Sequence, residues 1–213
     1  MHSNERPNAA TPMYAPRKRP RQARAVATVT AILDAAARIL SEDSYAAAST
    51  NRVAERAGVS IGSLYEYFPG KEAIFAELRR REAAKAYTEF IAEPHPEQPR
   101  DVIRHLVRGR LTWMRRDPAL YAALETEVPR FAIAEVEAEI FDDFLGISLA
   151  FLEVHRELLR PEAELRFLAE FLMRAVSAMA NEYGLRAPDQ LGDPQLEQAM
   201  IQMVERYLLK DDR

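Results

Sequence analysis

Apolar residues recur three and four positions apart along most of the chain, the spacing that places them on one face of an α-helix. Alternation of apolar and polar residues nowhere extends over the length of a strand, and glycine is scarce. The pattern therefore predicts an all-α fold of about nine helices. In the first helix, at about residues 21–40, the predicted buried stripe consists of Val26, Val29, Leu33, Ala36, Ala37 and Leu40.

Capping residues and prolines predict where the other helices begin and end. Ser49 or Thr50 caps helix 2, and Gly58 follows its last turn. Ser60 caps helix 3, which ends before Pro69-Gly70. Helices 4 and 5 are predicted at about 71–92 and 101–116, on either side of a break in the proline-rich segment 94–99. Helices 6 to 9 are predicted to open at Pro118, Pro129, Pro161 and Pro194, with a loop over 184–193 before the last of them.

The composition excludes several classes of site. The 213 residues include no cysteine, which rules out disulfides, thiolate metal sites and a cysteine nucleophile. The four histidines are isolated from one another, and the neighbours Asp142 and Asp143 would point about 100° apart on a helix. No apolar segment has the form of a secretory signal or of a membrane span. We therefore expect a cytoplasmic protein without membrane contact, catalytic residues, bound metal or cofactor.

Charge is distributed unevenly along the chain, whose formal net charge is −4. Residues 1–75 hold ten basic and seven acidic residues, about +3, and the other 19 basic and 26 acidic residues give about −7. A basic N-terminal part suits either a polyanionic partner or a solubilising role. Residues 1–20 are predicted to form a disordered basic tail, and the stretch Arg17–Arg24 fits a DNA-contacting arm and a disordered tail equally well.

The most specific pattern lies at residues 49–71, which read STNRVAERAGVSIGSLYEYFPGK. Two short helices joined by a Gly-Val-Ser turn form a helix-turn-helix. On a helical wheel, Leu64 and Phe68 of the second helix point inward. An outward face of small residues lets a helix backbone approach the floor of a DNA groove, and flanking tyrosine hydroxyls can reach phosphate oxygens. The outward and flanking residues are Gly62, Ser63, Tyr65, Glu66 and Tyr67.

This segment resembles the DNA-binding domain of the TetR family of transcriptional regulators. The resemblance rests on a threonine at the start of helix 2, the strings VAERAGVS and GSLYEYF, the lysine after the next turn, and an amphipathic helix 1 ending in AARIL. It is close over about residues 25–75 and architectural beyond them. It implies DNA contacts at Thr50, Ser60, Ile61, Gly62, Ser63, Tyr65, Glu66, Tyr67 and Lys71.

The resemblance also implies how the protein works. We expect a helix-turn-helix domain over 21–70 and a helical ligand-binding and dimerisation domain over 71–213. A homodimer of this family binds a palindromic operator of double-stranded DNA, usually represses transcription, and releases the DNA when a small molecule binds. Two positions depart from the family pattern. Many relatives have a polar or basic residue at the position of Ile61, and phosphates would repel Glu66 unless its carboxylate accepts from a cytosine amino group.

The second half of the chain supplies candidates for the interface and the pocket. Apolar stripes on helices 8 and 9 are predicted to form a four-helix dimer interface, unless a stripe faces the protomer core. Large side chains on helices 5 to 7 are predicted to line a pocket for an apolar or aromatic ligand, with ordinary core packing as the alternative. The interface residues are Leu165, Leu168, Leu172, Met179, Leu196, Met200, Met203 and Tyr207, and the pocket residues are Leu106, Trp113, Met114, Tyr121 and Phe144.

Two other functions fit the same residues. One is a helical interaction module whose helix-turn-helix serves only packing. The other is a DNA-binding protein that does not respond to a ligand. The salt dependence of DNA binding separates the helical interaction module from both DNA-binding functions, because a protein that contacts phosphates loses affinity steeply as salt increases.

Overall fold

The computed structural model describes residues 16, 23–92, 98–160 and 164–210. Apart from a single bridge between Leu159 and Leu209, these ranges contain no β-structure, which confirms the predicted all-α class. Short 3-10 helices occupy Arg156–Leu158 and Pro188–Gly192. The α-helices within the described ranges are α1 Ala23–Glu42, α2 Thr50–Ala57, α3 Ile61–Tyr67, α4 Lys71–Ala92, α5 Pro99–Arg116, α6 Pro118–Thr126, α7 Arg130–Val154, α8 Leu165–Arg186 and α9 Pro194–Leu208.

Some predictions fall on residues that the structure does not describe. They are the basic tail over 1–20, of which only Pro16 is described, most of the break over 94–99, and the start of helix 8 at Pro161. Of the other prolines, Pro118 and Pro194 are the first residues of α6 and α9, as predicted, and Pro129 immediately precedes α7. Pro99, assigned to the break, is instead the first residue of α5.

The predicted loop over 184–193 is wrong. Helix α8 continues through Gly184 to Arg186, and Pro188–Gly192 form a 3-10 helix. Gly184 is buried, and a Cβ atom built on it would meet the Met114 side chain and lie 3.3 Å from Cε1 of Tyr121. This glycine therefore serves close packing inside a helix and does not end it.

The chain divides into two compact units, and the first contains residues up to Arg79 together with Val128–Val136. It extends beyond the predicted domain boundary at residue 70. In it α1 packs on α2, and α2 packs on α3. The predicted stripe on α1 is shifted: Val26 is exposed, whereas the buried residues of this helix are Ile32, Leu33, Ala35, Ala36, Ile39 and Leu40.

The second unit comprises Arg80–Glu127 and Glu137–Arg213. Its helix α5 packs on α8 and α9, and the 3-10 helix Pro188–Gly192 packs on the same three helices. Two clusters of buried apolar side chains form its core. One is centred on Leu168 and Leu172, and the other on Leu111 and Met200.

Candidate nucleic-acid interface

Local capping fixes the two helices of the helix-turn-helix. The Ser49 side chain accepts a hydrogen bond from the backbone N–H of Arg52 at the start of α2. Gly58 ends α2 with φ of 67°, a left-handed conformation that glycine adopts without steric cost. Ser60 caps α3, where its Oγ accepts from the backbone N–H of Ser63 at 3.0 Å. The three caps are those predicted from the sequence, which offered Ser49 and Thr50 as alternatives for the first.

One face of α3 is held in the core of the first unit. Leu64 and the following Phe68 are fully buried. On the other side of the helix, Gly62 and Glu66 are exposed, and so is Ile61, with 39% of its surface accessible. A Cβ atom at Gly62 would contact only Oγ of Ser60, at 3.8 Å. The outer face of α3 is therefore open, and the packing of the unit does not require a glycine there.

Hydroxyl groups pair on either side of this outer face. Oγ1 of Thr50, at the first residue of α2, lies 3.1 Å from the hydroxyl oxygen of Tyr65 on α3. The hydroxyls of Ser60 and Ser63 lie 2.8 Å apart. The structure thus brings the predicted contact residues of α2 and α3 together in pairs. Tyr67 is half-buried on the flank of α3.

Lys71, the first residue of α4, is anchored to the connection between α1 and α2. Its Nζ donates to the backbone carbonyl of Tyr45 at 3.1 Å and lies 3.9 Å from the centre of the Tyr45 ring. That ring packs edge-on against Phe75, with 5.0 Å between centroids. An ammonium group has three donors, so this anchor leaves Lys71 with N–H groups for a phosphate. The role of Tyr45 was not anticipated, because no local sequence pattern connects it with a lysine 26 residues later.

The basic residues of α2 are engaged inside the unit. Arg52 forms an ion pair with Asp43 at 2.6 Å, and Arg56 pairs with Glu42. Both acids lie at the end of α1 or just after it, so the two pairs hold α2 against α1. Two of the ten basic residues counted in residues 1–75 therefore serve the fold. Except for Ala23 and Arg24, the stretch Arg17–Arg24 lies outside the described residues.

The predicted interface residues on α8 and α9 divide into three groups by their exposure. Leu168, Leu172 and Met200 are buried in the core of the second unit, so their side chains are unavailable to a partner at the surface. Met203 and Tyr207 are exposed. Leu165, Met179 and Leu196 are half-buried and pack against the core clusters.

Two exposed aromatic residues of α8 extend this surface. Phe167 and Phe171 stack on each other with 6.0 Å between ring centroids, and the Phe171 ring lies 5.2 Å from that of Tyr207. We call the exposed residues Phe167, Phe171, Met203 and Tyr207 the α8–α9 patch. The predicted stripes did not include the two phenylalanines, which lie off them.

Three of the five predicted pocket residues lie together. Met114 and Tyr121 belong to one core cluster, and Trp113 packs against it with its ring edge-on to Tyr121, at 5.4 Å between centroids. Phe144 has its ring contact elsewhere, with Tyr87, and Leu106 is half-buried.

A polar group that was not predicted lies beside this cluster. Nη2 of Arg110 donates to Oδ1 of Asn181 at 2.6 Å and to the Tyr121 hydroxyl at 3.1 Å, and the Tyr121 hydroxyl also donates to Asn181. The Arg110 guanidinium lies 5.3 Å from the Trp113 ring centre. The surroundings of Trp113 and Tyr121 are therefore aromatic and polar, and not wholly apolar as expected. The sequence indicates this polar group only through the spacing of Arg110 and Trp113, which are three residues apart and so share a face of α5.

Residues 32–78, which cover most of α1, all of α2 and α3 and the start of α4, match the family described as bacterial regulatory proteins, tetR family. This segment belongs to the TetR family. This confirms the resemblance seen in the helix-turn-helix segment.

Relatives by sequence match a longer part of the chain. The chain is 33% identical over 109 residues to the HTH-type transcriptional repressor KstR of Rhodococcus jostii, a match that covers 51% of this chain and 50% of that protein. The chain spans about half the length of the curated relatives that it matches.

Solved structures resemble the fold over most of its length. The fatty acid degradation regulator FadR from Bacillus halodurans superposes with a TM-score of 0.70 at 19% identity, covering 92% of this chain and 98% of the other. The SmeT–triclosan complex gives a TM-score of 0.66 at 20% identity, covering 87% and 93%. At these identities the likeness establishes the fold. Every helix in the described part of the chain is too short or too polar to cross a lipid bilayer.

Proposed function

We propose that this protein is a homodimeric transcriptional repressor that binds an operator through α3 and is released from it by a small molecule. The observation that carries the proposal is the division of α3 into two faces. Leu64 and Phe68 fix the helix in its unit, while Ile61, Gly62 and Glu66 are exposed on it. A short helix held in this way, with a small outer residue, suits the major groove of B-DNA, which admits an α-helix.

Phosphate contacts would come from the edges of this face. The Thr50 and Tyr65 hydroxyls lie on one edge, and both can reach backbone oxygens while they remain paired. Lys71 adds a positive charge whose position is set by Tyr45. These contacts carry no sequence information, but they would fix the orientation of α3 relative to the bases.

Dimerisation would use the α8–α9 patch. Large apolar side chains clustered on a surface are typical of an interaction site. A twofold axis through this patch would pair α8 and α9 of one protomer with those of its partner in a four-helix arrangement. A symmetric pair is required because it would present two α3 helices about 34–36 Å apart, one turn of DNA, or at a near multiple of that distance.

The proposed effector site is the neighbourhood of Trp113 and Tyr121. The half-buried Trp113 ring would contact an aromatic ligand, and the Arg110–Asn181 hydrogen bond would supply a polar boundary. Support for a ligand also comes from the name of the SmeT–triclosan complex, in which a protein of this fold holds a small aromatic molecule. The effector releases DNA only if it binds more tightly to a conformation in which the α3 helices are wrongly spaced.

The experiment that tests this function is selection of bound fragments from random duplex DNA by the purified full-length chain. We expect a recovered palindrome whose two halves are about 10 base pairs apart, or near a multiple of this. Its affinity should fall linearly on a logarithmic plot as salt increases. Failure to enrich any sequence would favour the helical interaction module instead. A protein with this role acts on chromosomal DNA, so we propose a cytoplasmic location.

A further inference from the structure

Glu66 occupies the centre of the outer face of α3. It follows Leu64 by two positions, which places it about 200° around the helix from that fully buried side chain. Gly62 lies one turn earlier on the same side and has no side chain to cover it. Glu66 is therefore the residue of α3 that projects most directly away from the core.

The hydroxyl groups around Glu66 form hydrogen bonds with one another, whereas the Glu66 carboxylate forms none with the described residues. The hydroxyls of Ser60 and Ser63 form one pair, and those of Thr50 and Tyr65 form another. In the described part of the chain, Glu66 has no hydrogen-bond or ion-pair partner. It is also the sole acidic residue of α3. Neither the stability of the helix nor the packing of the unit explains a carboxylate at this position.

The chemistry of the major groove restricts what this carboxylate can bind. An ionised carboxylate only accepts hydrogen bonds, and it is repelled by phosphates. Guanine presents only acceptors in the major groove, and thymine presents an acceptor and a methyl group. Adenine has an amino donor, but its N7 acceptor lies beside that donor and would repel the second carboxylate oxygen. Cytosine presents its N4 amino group as a donor, which is the base edge that suits Glu best.

We propose that Glu66 determines the sequence specificity of this protein by reading a cytosine amino group in each half of the operator. The inference rests on the proposed function, since it requires α3 to lie in the major groove. It also gives Gly62 a role, because the missing side chain lets the Glu66 carboxylate approach a base edge. The operator is thereby identified in part: each half-site contains a C·G pair where the centre of α3 meets the groove.

The test begins with the duplex selected by the wild-type chain. Each position of its half-site is changed to all four base pairs, and dissociation constants are measured for the wild type, Glu66→Gln, Glu66→Ala and Glu55→Gln. Glu55 is an exposed acid of α2, so its substitution removes the same charge from the same unit without altering α3. Thermal unfolding of each variant provides a check of folding, and the exposed position of Glu66 predicts no change.

We expect the wild type to prefer cytosine at one position of the half-site by about 5- to 150-fold. Glu66→Ala should remove this preference at that position only. Glu66→Gln should shift it toward adenine, whose N6 and N7 atoms a glutamine amide binds together. Glu55→Gln should retain the wild-type preference at every position.

Two failures have different meanings. If the wild type enriches no duplex, the proposed function fails. If the wild type selects a duplex, but the Glu66 variants keep its base preference at every position, the proposed function stands and the role of Glu66 is overturned.

Discussion

The hydroxyl oxygens of Thr50 and Tyr65 lie 3.1 Å apart and join the first residue of α2 to the middle of α3. The pair crosses the two helices of the helix-turn-helix on their exposed side. Because the turn between them is short, a bond at this point restricts how α3 can tilt against α2. We therefore propose two roles for the pair: it fixes the orientation of α3 against α2, and its hydroxyls bind phosphate oxygens.

Removing the Tyr65 hydroxyl should weaken operator binding. We predict that Tyr65→Phe costs about 1 kcal/mol of binding free energy, a loss of about fivefold in affinity, since one hydrogen bond to phosphate is lost. Thr50→Val should have a similar effect, and the double variant should cost less than the sum of the two, because the residues act as a pair. Titration of the selected duplex measures all three. The control is Tyr87→Phe, which removes the hydroxyl of an exposed tyrosine in α4. Additive effects of the two single substitutions, or normal operator binding by Tyr65→Phe, would refute the pairing.

Gly62→Ala separates folding from recognition. The structure gives the new methyl group space, with Oγ of Ser60 at 3.8 Å as its one neighbour, and alanine favours a helix over glycine by up to about 1 kcal/mol. We therefore predict unchanged or higher stability to unfolding together with at least about tenfold weaker operator binding, because the methyl group would hold α3 away from the bases.

The matched control for this substitution is Gly109→Ala. Gly109 lies in α5, and a Cβ atom there meets nothing within 4 Å. The Gly109→Ala variant should gain the same helix propensity and bind DNA normally. Undiminished operator binding by Gly62→Ala would show that α3 does not approach the bases closely at this residue.

Lys71→Ala should change the salt dependence of binding. If Lys71 contacts a phosphate, its loss reduces the slope of log affinity against log salt by about 1. If Lys71 only contacts Tyr45 within the unit, its loss would lower the stability to unfolding and leave the slope unchanged. Lys85→Ala, which removes an exposed lysine paired with Glu82 farther along α4, should alter neither quantity appreciably.

A charge in the α8–α9 patch should dissociate the dimer. We predict that Phe171→Glu gives a monomer in sedimentation velocity at micromolar concentration, since a carboxylate would be buried at the twofold axis without a partner. DNA affinity should fall with it, because two half-sites are then bound independently. Val154→Glu places the same charge at an exposed apolar residue of α7 and should leave the protein dimeric. A dimeric Phe171→Glu variant would place the interface elsewhere.

Local signals in the sequence were sufficient for the helix-turn-helix. Ser60, Gly58 and the spacing of Leu64 and Phe68 act within one turn of the chain, so the caps and the inner face of α3 follow from the residues themselves. Gly184 shows the limit of such signals. It resembles a helix stop, but it lies within α8, where the Met114 side chain and the Tyr121 ring pack closely against it.

Tertiary contacts account for most of what the sequence could not supply. The anchoring of Lys71 by Tyr45 and the pairing of Arg52 with Asp43 join residues from different elements. Periodicity placed Leu168 on an apolar stripe of α8, but it did not show that this stripe faces the core, whereas Phe167 beside it is exposed. That distinction requires knowledge of which neighbours cover the helix.

A symmetric pair of α3 helices in the major groove is central to the proposed function. Protection of guanine N7 against methylation on the selected duplex tests this pair most directly, because N7 lies in that groove. We predict two protected segments on one face of the DNA, related by twofold symmetry and about 10 base pairs apart or near a multiple of that. A single protected segment, or unchanged N7 reactivity with the protein bound, would contradict it.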